Sequence, residues 1–172
     1  MPETKRNVIG ITGWKNSGKT TLTEKLVAEL VSRGYRIATV KHAHHEFDID
    51  HEGRDSFRHR KAGASEVAVV SSKRWALIHE LDGETEPPLD AVISRLAPCD
   101  LIVVEGYKRE GHPKIEVRRL GAKDATPLAP RDPSIVAIAS DVNIAAESLP
   151  IFDLDDVTAI ASFVCALFPL AR

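Results

Sequence analysis

The segment Gly13-Trp14-Lys15-Asn16-Ser17-Gly18-Lys19-Thr20 matches the pattern G-x-x-x-x-G-K-[ST], and its surroundings restrict the fold more than any other part of the chain. Directly before it runs Val8-Ile9-Gly10-Ile11-Thr12, a short apolar stretch that predicts a buried strand. Directly after it, Leu22, Leu26, Val27, Leu30 and Val31 recur at helical spacing from Lys19 to Arg33, and Gly34 supplies a stop. A strand, a glycine-bearing loop and a helix in that order make a phosphate cradle. The glycines let consecutive backbone N–H groups turn toward one anion, and the helix adds its positive end. Phosphate-binding candidates are therefore Gly13, Asn16, Ser17, Gly18, Lys19, Thr20 and Thr21. Lys19 brings a cation to the terminal phosphates, and Thr20 offers a hydroxyl to Mg²⁺.

The rest of the chain continues the alternation. Strands are predicted at Tyr35–Val40, Val67–Ser71, Trp75–His79, Leu101–Val104, Ile135–Ala139 and Leu149–Phe152. Lys114–Val117 alternates in polarity and reads as an edge strand. Helices are predicted at Asp55–Ala62, at Leu89–Leu96 and from a cap at Asp153 to about Phe168. Residues 121–133 read as a long loop. Continuous apolar strands between amphipathic helices predict an α/β P-loop NTPase fold, a mainly parallel sheet with helices on both faces. No repeat, low-complexity tract or linker divides the chain, so residues 1–172 are expected to form a single nucleotide-binding domain.

Composition narrows the partners. Lys plus Arg number 23 against 25 Asp plus Glu, a net charge of −2, so no global basic field attracts nucleic acid. Cys99 and Cys165 form no C-x-x-C pair and read as buried reduced thiols. The N-terminal residues lack a signal-peptide pattern, and the apolar run near the C-terminus is too short to span a bilayer and holds Pro169. A cytoplasmic protein that engages neither membrane nor nucleic acid is expected.

A P-loop needs a second acid for its metal, normally at the end of a buried strand. Leu101-Ile102-Val103-Val104 ends in Glu105, which makes Glu105 the candidate with Thr20 for holding Mg²⁺ or its water, and with Lys19 for any phosphoryl chemistry.

The segments GWKNSGKTTL, TVKHAHHEFDIDHEGRDSFRHRKAGA, DLIVVEGYK and IVAIASD, in that order from Val8 to Asp141, closely resemble the MobB-type molybdopterin-guanine dinucleotide biosynthesis proteins. The resemblance implies a fold similar to the GTPases of the signal-recognition and metal-chaperone class. It implies GTP binding with weak hydrolysis at best, a homodimer, and assistance to the guanylyltransferase that joins GMP to molybdopterin. The segment from Lys41 to Ala64, with five of the chain's seven histidines, then reads as a switch that faces phosphate and metal and meets the pterin. Asp48 and Asp50 are further candidates for the Mg²⁺ shell. Lys41, His42, Arg54, Asp55, Arg58, Arg60 and Lys108 are candidate contacts to molybdopterin, its guanine dinucleotide or the partner enzyme. A transition-metal site at His42, His44, His45 and Asp48 is the competing reading, and with it a metal-handling GTPase. A small-molecule kinase using Asp48, Asp50 or Asp55 as base is the other.

No [NT]-K-x-D sequence is present; Asp141, just beyond a core strand, is the candidate guanine reader. The chain contains no Gln to orient a water, and Arg109, Arg118, Arg119 and Arg131 are possible fingers that nothing in the sequence aims. Slow intrinsic hydrolysis, well under one turnover per second, is expected on the order-of-magnitude grounds that a finger supplies roughly 10³–10⁵ in rate.

Overall fold

The computed structural model describes residues 6–43, 47–144, 148–168 and 170. In chain order the elements are β1 (Val8–Thr12), α1 (Lys19–Ser32), β2 (Ile37–Lys41), α2 (Asp55–Lys61), β3 (Glu66–Val70), β4 (Trp75–His79), α3 (Leu89–Ser94), β5 (Leu101–Glu105), β6 (Lys114–Arg118), β7 (Ile135–Ser140), β8 (Ile151–Asp153) and α4 (Val157–Leu167). They fall into two compact units: Met1–His42 with Ile93–Arg172, and Ala43–Val92. The smaller unit is an insertion in the chain of the larger, entered after β2 and left within α3.

In the larger unit six strands form one sheet in the order β2-β5-β1-β6-β7-β8, and every neighbouring pair is parallel. Side chains alternate across a strand, so Ile9, Ile11, Leu101, Val103, Ile115, Val117, Ala137 and Ala139 share one face. Leu22, Leu26 and Leu30, four apart on α1, and Ile160, Ala161 and Val164 of α4 complete that cluster. Each large aliphatic side chain so buried contributes about 1.5–3 kcal/mol. Val31, predicted to belong to the apolar stripe, is instead 53% exposed, one residue off the Leu22-Leu26-Leu30 line. Cys99 and Cys165 are free thiols and half-buried rather than fully buried.

Two further expectations are corrected by the sheet and the last helix. Lys114–Val117 is no edge: β6 lies between β1 and β7, with Lys114, Ile115, Glu116 and Val117 all buried. The charged residues that suggested a solvated face are satisfied internally. Lys114 Nζ donates to the Glu110 carbonyl, Asp132 and Ser134, and Glu116 accepts the backbone N–H groups of Leu128 and Ala129 at 2.8 and 2.9 Å. The cap of α4 is Asp156, which accepts from Ala159 N–H at 3.0 Å. Asp153 instead closes the preceding turn on Asp155 N–H at 2.8 Å. The acidic triplet around the helix start offered both positions, and only the second leaves Val157 as the first apolar helical residue.

The smaller unit holds α2 and an antiparallel hairpin of β3 and β4, whose register pairs Glu66 with His79 and Val70 with Trp75. Ser71 closes the hairpin, its hydroxyl accepting from Lys73 and Arg74 N–H. Asp55 in the first turn of α2 and Arg58, His59, Arg60 and Lys61 in its last complement the helix dipole. His79 sits between Glu66 at 2.8 Å and Glu84 at 3.5 Å. The hydrogen bond to Glu66, then that to Glu84, raises its pKa above the ordinary 6.5. A raised folded-state pKa contributes stability in full below the unfolded value and loses it as pH rises through the folded one. The melting temperature is therefore expected to fall as pH rises past the ordinary histidine value of about 6.5, a slope that His79→Gln should lack. Equal slopes for the two proteins would overturn this.

Candidate phosphate-binding site

Open parallel sheets place ligands beyond the carboxyl ends of their strands, where the connections diverge to opposite sides. Here that point is the end of β1, flanked by β5 and β6, and the loop 13–18 occupies it. Gly13 has φ 146°, and a Cβ there would lie 2.6 Å from the Val117 carbonyl oxygen and 2.7 Å from Ser17 Oγ. Only glycine fits. Gly18 caps α1 in the left-handed region at φ 93°, and no side chain caps the helix. The N–H groups of its first turn are thus left for an anion. Ser17 is 1% exposed, and its hydroxyl has no hydrogen-bond partner among the described residues. An orphaned buried hydroxyl inside the loop fits a cradle built for an oxyanion.

The charges converge on the same place. Lys19 Nζ donates to the Trp14 carbonyl at 2.6 Å. Its pKa is held below the ordinary 10.5, first by burial, then by the ammoniums of Lys108 and Lys41, with Glu105 opposing. Lys108 Nζ lies 4.4 Å over the Trp14 ring, and Lys41 Nζ lies 3.6 Å from Glu105 Oε1. Thr20 Oγ1 donates to the same Glu105 oxygen at 2.9 Å. Lys19 thus feels two further ammoniums and the Glu105 carboxylate, while Lys108 also feels Asp124. The end of β2 is tied to the end of β5: His42 N–H donates to the Glu105 carbonyl at 2.9 Å, and its ring packs on Tyr107 at 4.6 Å. Gly106 at φ 98° leaves the room His42 needs, since a Cβ there would approach His42 Cβ to 2.8 Å. The Thr20 hydroxyl and Glu105 carboxylate are a hard-oxygen pair of the kind Mg²⁺ takes alongside phosphates.

Asp141 follows β7. Its Oδ1 accepts Leu120 N–H at 2.8 Å, and its Oδ2 lies 3.5 Å from Arg119 Nε. It borders a cavity of about 130 Å³ with Gly18, Thr21, Leu22, Lys25, Arg119, Leu154 and Asp155. A second cavity of about 270 Å³ opens over Asn16, Gly18, Lys19, Thr20, Thr21 and Arg119. Gly18, Thr21 and Arg119 border both, so the phosphate cradle runs on to Asp141. The sequence did not single out Lys25, Leu154 or Asp155, and nothing in their local pattern could have. Part of the loop left unassigned at 121–133 is fastened to the cradle: Trp14 Nε1 donates to the Thr126 carbonyl at 2.7 Å, and Lys123 N–H to the Lys15 carbonyl at 3.2 Å.

The remaining candidates belong to the smaller unit. Arg60, its side chain 14% exposed, is held by Asp48 at 2.9 Å, Glu80 at 2.8 Å and Asp50 at 3.5 Å. Bonds to Asp50 N–H and Arg60 hold the Asp48 carboxyl below its usual range. Asp50 also accepts from the Ser56 hydroxyl at 2.9 Å. Asp48, Asp50 and Arg60 therefore form one ion-paired cluster. Arg54 precedes α2, and among the described residues Arg58 makes only an exposed 3.8 Å ion pair with Asp55. His44 and His45 of the histidine segment lie outside the described residues. Among the possible fingers, Arg118 is bound to Glu116 at 2.9 Å, Arg131 ends a short 3-10 helix, and Arg119 alone borders the cradle cavities.

Comparison with known proteins agrees with this geometry. The family model described as "MobB: Molybdopterin guanine dinucleotide synthesis protein B" matches residues 8–141. The molybdopterin-guanine dinucleotide biosynthesis adapter protein of Escherichia coli (strain K12) is 40% identical, over 91% of this chain and 90% of its own. That of Haemophilus influenzae is 36% identical over 91% and 86%. A crystal structure of a MobB protein homolog from Bacillus stearothermophilus superposes with a TM-score of 0.70 at 29% identity, covering 96% of this chain and 99% of that one. A crystal structure of molybdopterin-guanine biosynthesis protein B gives 0.73 at 27% identity, covering 94% and 99%. Its cradle, its sheet and its sequence along most of its length therefore agree that the chain belongs to the MobB family.

Proposed function

We propose that this protein is a GTP-binding adapter in molybdenum cofactor biosynthesis, assisting the guanylyltransferase that attaches GMP to molybdopterin. The observation that carries the reading is the continuous path from a three-ammonium phosphate cradle to the carboxylate of Asp141, in a chain whose relatives are named adapter proteins. The backbone of 13–18, Lys19, Lys41 and Lys108 draw the triphosphate. Thr20 and Glu105 hold Mg²⁺, which when bound neutralises phosphate charge. No Gln is present to orient a water, and the reading is of slow hydrolysis.

The whole chain acts as one nucleotide-binding domain in the cytoplasm, with the 43–92 unit an insertion that meets the partner. No helix among the described residues is long and apolar enough to cross a membrane. Arg54 and the exposed Arg58 supply charge for the phosphate of molybdopterin or its guanine dinucleotide. The hairpin exposes Val70 at 74% and Trp75 at 70%, an apolar surface that suits a homodimer contact. The kinase alternative is weakened because Asp48 and Asp50, two of its three candidate bases, are held by Arg60, which leaves only the exposed Asp55.

Calorimetric titration of GTP and ATP with Mg²⁺ tests the reading. GTP is expected to bind at least about tenfold tighter, and Asp141→Asn to erase most of that preference by replacing one of two acceptor oxygens with an NH2 group that faces the guanine N–H donors. Equal binding of GTP and ATP by the unmodified protein would sink the assignment of the base.

A further inference from the structure

Arg119 is the one arginine on the rim shared by the cradle and the Asp141 cavity among the described residues. Its Cδ and Nη1 lie 3.8 Å from where a Cβ on Gly18 would stand, at the start of α1. A guanidinium beside the positive end of a helix, next to Lys19, is in an unfavourable field. Asp141 pairs with it directly, at 3.5 Å from Nε. The other acid on the rim, Asp155, is bound by Lys25 at 2.7 Å and feels the Arg119 charge more weakly. Arg119 is 52% exposed and so has freedom to move.

The groups that would compete here are alike in shape. The N1–H and N2–H edge of guanine is a planar pair of donors, as a guanidinium is, and both suit one carboxylate face. Guanine arriving at Asp141 competes with Arg119 for Oδ2, while Oδ1 already accepts Leu120 N–H at 2.8 Å. A phosphate arriving at Gly18 offers the displaced guanidinium a better partner, since planar forks match phosphate oxygens.

We propose that Arg119 is a nucleotide-phosphate ligand that the ligand-free chain parks on Asp141. Base and phosphate thereby open one latch together, and a nucleotide carrying only one of the two pays for breaking it without full return. The latch rests on the guanine-reading role of Asp141 given above; the phosphate contact does not.

The test is Arg119→Gln, with inorganic tripolyphosphate, guanosine and GTP as separate probes, the last two with adenine counterparts as controls. Tripolyphosphate and GTP are expected to bind about tenfold more weakly, while guanosine binds as well as before or better, because Asp141 is freed. Arg119→Lys keeps the charge but not the planar fork, and should restore part of the tripolyphosphate binding lost in Arg119→Gln. Unchanged tripolyphosphate binding in Arg119→Gln would overturn the phosphate contact. A loss of guanosine binding as large as that of GTP would overturn the latch and point to a structural role. Guanosine and adenosine binding alike to the unmodified protein would sink the base reading and the latch with it. The tripolyphosphate result would still decide the phosphate contact.

Discussion

Glu116→Ala is expected to lower stability by about 3–5 kcal/mol, the range for removing one partner of a buried charge pair. Glu116 is 1% exposed, on one of the two central strands of the sheet. Its two oxygens accept Leu128 N–H at 2.8 Å and Ala129 N–H at 2.9 Å, and it pairs with Arg118 Nη2 at 2.9 Å. Alanine leaves two backbone donors and a mostly buried guanidinium without this carboxylate. Each unsatisfied buried group costs about 1–3 kcal/mol. Glu116→Gln keeps an acceptor and the volume, so it should cost clearly less. Denaturant unfolding checks this through the midpoint, with an unchanged slope showing that the two-state transition is intact. A loss below about 0.5 kcal/mol for the alanine variant would place Glu116 among ordinary surface residues and refute the argument. The same bonds hold the start of the 3-10 helix, just beyond the loop that clasps Trp14, so nucleotide affinity should fall alongside stability.

That residue also shows where the sequence stopped being readable. The cradle, β1, β5 and α1 were legible because their signals are local: a glycine pattern, an unbroken apolar run, a period of four. The placement of β6 was not. Lys114 and Glu116 alternate with Ile115 and Val117 as they would on a half-solvated edge strand. Their partners, Asp132, Ser134, Leu128 and Ala129, arrive from more than ten residues away. A buried ion pair and an exposed charge look the same in one dimension. The same limit applied to Arg60, which reads as a phosphate contact until Asp48, Asp50 and Glu80 are seen around it. Arg119 and Arg118 are adjacent in sequence, and only the fold separates the one locked on Glu116 from the one at the cradle rim.

Lys19→Ala is expected to weaken GTP binding on the order of 100-fold while leaving the free protein as stable as before or more so. The two effects have one cause. In the ligand-free chain Lys19 is partly desolvated and faces Lys108 and Lys41, with Glu105 alone opposing, so its pKa is depressed. A lysine with a depressed folded-state pKa is held charged at neutral pH against its surroundings, and that cost is relieved only as pH rises through the folded value toward the unfolded one. Alanine removes the repulsion, so the melting temperature should not fall. A bound triphosphate reverses the sign, because the same three ammoniums then face several phosphate oxygens at short range. Lys19→Arg should not rescue binding: its planar fork is longer than the ammonium that reaches the Trp14 carbonyl at 2.6 Å, and it does not fit the same point. High salt should weaken the unmodified protein's affinity more than that of Lys19→Ala, since one of the three screened charges is gone. Calorimetry and thermal melts on the same preparations separate the possibilities. Lower stability together with lower affinity would mean that Lys19 holds the loop together through Trp14. Unchanged affinity would mean that the cradle does not bind triphosphate through Lys19. Only higher or equal stability with lost affinity fits a loop whose charges are assembled at a cost to the fold for an anion that arrives later.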